Sequence, residues 1–177
     1  MQWWIWIIIV GVIMLISISI LAWIVAVSNK LVILKNAVDR TFPLMNSKIK
    51  QYCEGVSHLL GYVERKVKKQ TKAWLNLRSM KEDCLNTEGM INKAVKQHEL
   101  SDKVNDYITY LKGKKEFAGS KRLAQLISDI DGFQKDVQNV VKKHNDCVEK
   151  YNAKRNKFPA SMVSTRFKFG ERKIWEV

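Results

Sequence analysis

No charged side chain occurs in residues 1–29, whereas the rest of the chain carries all 31 Lys/Arg and all 17 Asp/Glu. Such a chain is divided between two solvents. As a helix, residues 3–27 are long enough to cross a hydrocarbon core of about 30 Å at ~1.5 Å per residue. A helix is required there because hydrocarbon offers backbone N–H and C=O groups no other partner. Trp3, Trp4 and Trp6 at one end and Trp23 near the other place indole rings at both headgroup layers. A cleaved signal peptide fits less well, since there is no charged n-region, the apolar run is too long and no small-residue cleavage site precedes Lys30. A helix apolar all round would also need a larger core than so short a remainder can build. Residues 1–29 are therefore expected to be a transmembrane anchor.

Orientation is read from the flanks. Lys30, Lys35, Arg40, Lys48 and Lys50 follow the span and no basic side chain precedes it, so the N-terminus is expected outside and the C-terminal domain in the cytoplasm. Cys53, Cys84 and Cys147 agree with a reducing compartment, being an odd set without metal-ligand spacing.

Beyond the span the pattern is helical. Val38, Phe42, Met45, Ile49, Tyr52, Val56, Leu59 and Val63 recur in steps of 4 and 3, the seam of a helix packing at a shallow angle. Pro43 lies inside this seam without shifting its phase, which predicts a kink or a local restart with Thr41 as cap. A second seam runs through Leu123, Leu126, Ile130, Phe133, Val137, Val140, His144, Cys147 and Tyr151, with Gly119-Ser120 ahead of it and Phe158-Pro159 closing it. Weaker amphipathic stretches occupy about 72–85 and 87–112. The fold expected is all-α, an N-terminal transmembrane helix followed by an antiparallel up-and-down bundle of four helices. Three long helices, with 30–85 unbroken, are the alternative. The domains expected are an anchor over 1–29, a cytoplasmic bundle over 30–160 and an aromatic tail over 161–177 that caps the bundle.

Particular runs resemble a known family. The tail Phe167-Lys168-Phe169-Gly170-Glu171-Arg172-Lys173-Ile174-Trp175-Glu176-Val177 is similar to the short aromatic, Gly-containing end of LemA-family proteins. The run His144-Asn145-Asp146-Cys147-Val148-Glu149-Lys150-Tyr151-Asn152 resembles that family's paired Tyr-Asn element, and Phe158-Pro159 its following Phe-Pro. Ser28-Asn29-Lys30-Leu31-Val32 and Asn36-Ala37-Val38-Asp39-Arg40-Thr41-Phe42 fit the start of the family's domain. The resemblance implies a single-pass protein with an antiparallel helical bundle, and no transferable activity. Departures include His144 at the first Tyr position, Gln51-Tyr52-Cys53-Glu54-Gly55-Val56-Ser57 in place of the family's basic-acidic-Leu-Ile-Pro stretch, and no Tyr-Pro around Glu116-Phe117-Ala118-Gly119.

Site residues are few. Gln138, Asn145 and Asn152 stand seven residues apart, a carboxamide ladder on the flank of the second seam that would fix register or meet a partner helix, against the simpler reading of a solvated flank. His144 is the one seam residue that titrates near neutrality, though a histidine on an apolar face is usually a satisfied core residue. Arg65, Lys66, Lys68, Lys69 and Lys72 cluster where the first bundle helix should turn, about 55 Å from the bilayer and many Debye lengths away. A second basic group, Lys150, Lys154, Arg155, Lys157, Arg166, Lys168, Arg172 and Lys173, would lie near the bilayer in the four-helix arrangement. Either group also reads as a Lys-rich solvated surface. Phe42, Trp74 and Trp175 are the aromatic anchors of the core or of a partner surface. Ser128-Asp129-Ile130-Asp131-Gly132 resembles part of a Ca²⁺ loop but lacks the later ligands. With no nucleotide loop, nucleophile elbow or acid/base pair in the sequence, no enzyme, cofactor or metal is expected. The function expected is a membrane-anchored scaffold or interaction protein with membrane lipid and a protein as partners; the alternative is an electrostatic module for anionic lipid or nucleic acid. Self-association into a homo-oligomer uses the same seams and is left open.

Overall fold

The structure, a computed structural model, describes residues 3–67 and 71–175. Six α-helices follow in order: α1 (Trp3–Asp39), α2 (Thr41–Val67), α3 (Lys72–Asn86), α4 (Met90–Lys112), α5 (Lys121–Asn156) and α6 (Ala160–Arg166), with a short 3-10 turn at Lys115–Phe117 before α5. No strand occurs among the described residues.

Two compact units emerge. One comprises residues up to Asp39 together with Asp146–Ile174, and the other Arg40–Asn145 with Trp175. In the first, α1 is apolar and none of its most apolar 18-residue window is buried. Its length and composition suffice to cross a membrane. Within that window Ser17 and Ser19 donate their hydroxyls to the carbonyls of Ile13 and Leu15 at 2.8 Å each, so neither leaves a bare polar group in an apolar stretch. The helix outlasts its uncharged segment by ten residues to Asp39, and Leu31 and Val38 on this extension are buried.

The second unit is a four-helix bundle. Thr41 meets His144, Lys48 meets Asp136 and Tyr62 meets Ser120, so numbers fall along α5 as they rise along α2 and the two run antiparallel. By the same test Trp74 Nε1 donates to the Leu60 carbonyl and Lys81 to Ser57, setting α3 antiparallel to α2. Cys84 reaches the Lys93 carbonyl while Thr71 and Tyr107 share a cavity wall, which reverses α4 against α3. The chain therefore makes four passes, alternately up and down. A single helix over 30–85 is excluded, because Leu60 and Trp74 face one another and the chain reverses between them. Thr71 starts α3 by accepting the Trp74 N–H on its hydroxyl, closing an otherwise open donor of the first turn.

Pro43 does not mark the break in the first seam. The turn falls at Arg40, and Pro43 sits in the first turn of α2, where a missing N–H costs nothing. The seam expected in α2 is buried throughout apart from the partly buried Phe42. Each fully buried Leu, Ile, Met or Val there contributes roughly 1.5–3 kcal/mol relative to exposure. In α5 the seam drifts by one residue: Val148 is 0% exposed and Cys147 only half-buried. A strict 3-4 alternation averages 3.5 residues per turn, and a helix at 3.6 departs from it over several turns.

Candidate functional site

Chemistry concentrates where the non-helical tail runs beside α5. In the bundle unit, Asn145 Nδ2 donates to the Trp175 carbonyl at 3.0 Å and Trp175 N–H donates to Asn145 Oδ1 at 2.8 Å. A carboxamide is the only neutral side-chain group that offers a donor and an acceptor side by side, so one asparagine satisfies both backbone groups of one tail residue. The Trp175 indole is buried and stacks on His144 with centroids 3.6 Å apart and planes 6° from parallel. Phe42 stands edge-on to both rings, at 5.6 Å from His144 and 5.8 Å from Trp175. His144 Nδ1 and Thr41 Oγ1 share a hydrogen bond of 2.7 Å. His144 and Trp175 are thus core residues; Trp74 is likewise buried, through its bond to Leu60.

The same pairing recurs in the unit that contains α1. Asn152 Nδ2 donates to the Arg172 carbonyl at 2.7 Å, and Arg172 N–H donates to Asn152 Oδ1 at 3.1 Å. Tyr151 donates its phenol to the Gly170 carbonyl at 2.8 Å and Arg155 Nε donates to the Phe169 carbonyl at 2.7 Å. The Arg172 guanidinium reaches Asp39 at 3.0 Å. Burial holds the Tyr151 phenol above its usual range despite the opposing pull of Arg172 and Arg155. Seven residues along a helix advance about 10.5 Å and three along an extended chain about 10 Å, so an Asn heptad matches a three-residue tail repeat. Gln138, the third member of the sequence ladder, is exposed.

The basic candidates are placed differently. Arg65, Lys66 and Lys72 are exposed, and Lys68 and Lys69 lie outside the described residues. Arg65 donates its Nε to the Gly61 carbonyl at 3.1 Å. Lys72 lines an open cavity of about 480 Å³ with Lys103, Asp106, Tyr107 and Tyr110. Of the second group, Arg155 and Arg172 are half-buried and committed to the tail and to Asp39, while Lys150, Lys154, Lys157, Arg166, Lys168 and Lys173 are exposed.

Trp3, Trp4, Trp6 and Trp23 are all exposed on α1. Trp23 also lines a groove between α1 and α6, an element the sequence reading left inside the tail. Seven residues are too few to display a helical period.

Two thiols meet inside the bundle. Cys53 on α2 and Cys84 on α3 are buried, and their mutual hydrogen bond together with burial pushes the Cys53 thiol far above its ordinary range. The same bond lowers Cys84. Among the described residues no group of three or more His, Cys, Asp or Glu side chains is placed to hold a metal ion.

The model of the LemA family matches residues 43–177 of this chain. No curated protein matches it.

Proposed function

Since the chain belongs to the LemA family, with the matched region covering the bundle and the tail, we propose that it is a membrane-anchored interaction protein that presents its helical bundle to cytoplasmic proteins. The observation that carries this reading is the exposed apolar surface of the uncharged part of α1, none of whose most apolar 18-residue window is buried, which water does not tolerate over such a length and a bilayer does. The basic residues that follow the span favour the cytoplasmic side for the bundle. Exposed Arg65, Lys66, Lys72 and Gln138 are the contacts proposed for a partner. Asn145 and Asn152 are committed to the tail, whose backbone they hold.

A photoreactive amino acid placed at residue 66, 72 or 138 of the full-length protein in its own membranes tests this. Adducts with a defined cytoplasmic protein, formed from one of these positions and not from a control at Trp6, are the expected result. Adducts confined to lipid, or to envelope proteins on the other side, would overturn the reading.

A further inference from the structure

A transmembrane α1 accounts for the exposed apolar side chains of its own span, but not for Phe158, Met162 and Phe167, which are 80%, 66% and 56% exposed. These lie on or beside α6, within the same unit as α1. Between the two helices runs a groove of about 750 Å³ whose walls include Ile20, Trp23 and Ile24 of α1 and Met162, Arg166 and Phe167 of the α6 segment. Its size falls in the range of about 300–1,000 Å³ typical of small-molecule sites. Ile20, Trp23 and Ile24 belong to the uncharged span, so whatever covers them also reaches Met162 and Phe167. The charge pattern completes the picture: residues 150–175 hold eight Lys/Arg and a single acid, Glu171, and Arg166 and Lys168 are exposed on either side of Phe167.

We infer that α6 with its flanking phenylalanines is an interfacial lipid site in the bilayer that α1 crosses. One acyl chain of an anionic phospholipid lies in the α1/α6 groove against Trp23, Met162 and Phe167, and its phosphate meets Arg166 and Lys168. An apolar face of aromatics and Met bordered by cations is the composition that settles at a headgroup boundary. Arginine suits the headgroup because its planar fork binds phosphate oxygens in pairs. The site rests on the reading of α1 as a span.

The test uses the full-length protein with Cys147→Ser in phosphatidylcholine vesicles containing phosphatidylglycerol, and a nitroxide at Met162→Cys, Ile16→Cys or Lys115→Cys. Residues 162 and 16 should relax with oxygen and be shielded from a water-soluble nickel chelate, and residue 115 should do the reverse. In nanodiscs of the same lipids, Arg166→Gln with Lys168→Gln should lower the phosphatidylglycerol retained by the released protein about tenfold. Nickel access at residue 162 beside oxygen access at residue 16 overturns the lipid site and leaves the anchor standing. Nickel access at both overturns both. A label in lipid with phosphatidylglycerol retention unchanged in the double variant overturns the anionic headgroup assignment.

Discussion

Asn145 and Asn152 each do with one side chain what a neighbouring strand does with its backbone. They give and take a hydrogen bond with the same tail residue. Aspartate at either position keeps the shape, loses the donor and sets a negative charge against a carbonyl. Asn145→Asp and Asn152→Asp are therefore each expected to cost about 1–3 kcal/mol, read as a lower thermal midpoint and faster proteolysis of the tail. The heptad of carboxamides was visible in the sequence, but its partner was not. A lone chain shows that a polar stripe repeats without showing whether water, another helix or the protein's own terminus covers it. Tyr52 carries a second prediction. Burial raises its pKa, so the folded phenol keeps its proton at a pH where the unfolded one, at about 10, has lost it. Its contribution is complete below about pH 10 and is lost as the pH rises further. Stability should fall on the alkaline side, and Tyr52→Phe should flatten that fall in denaturant midpoints measured across about pH 9–11.

At the scale of elements, the α2 seam was legible nearly residue by residue because its packing partners hold one face for seven turns. The α5 seam was legible until drift exchanged Cys147 for Val148. The restart expected with Thr41 as cap lies one residue from the turn at Arg40, and Pro43 is harmless in the first turn of α2 that follows. What periodicity could not show is where helices approach closely. A Cβ built on Gly55 would lie 2.9 Å from Phe133 Cδ2 and 3.4 Å from Ile130 Cγ1, so α5 meets α2 over a residue with no side chain. Gly55→Val, which also adds branching, should destabilise the bundle by roughly 1–3 kcal/mol in urea unfolding. Thr71→Ala, which deletes the hydroxyl that caps α3, should cost about 1 kcal/mol in the same assay and leave the helical content of the folded state unchanged.

For the whole molecule, the division of charge decides more than any single contact. All of the net charge of +14 lies beyond an uncharged N-terminal segment, and the family match covers residues 43–177 of the region that follows it. Fold class, the long apolar N-terminal helix and the family could be read from the chain because they are written in long patterns. The functional surface could not, because exposed Lys and Gln look the same in sequence whether they meet water or a partner. The central claim is a bundle held at the cytoplasmic face of a membrane, and labelling intact cells with a membrane-impermeant maleimide tests it most directly. Cys53 and Cys84 are buried and stay unlabelled in the folded protein, so Cys147→Ser supplies the background for single cysteines at Gln2→Cys and Lys115→Cys. Labelling of residue 2 from outside, with residue 115 reacting only after permeabilisation, is the result predicted; external labelling of residue 115 in intact cells would contradict it.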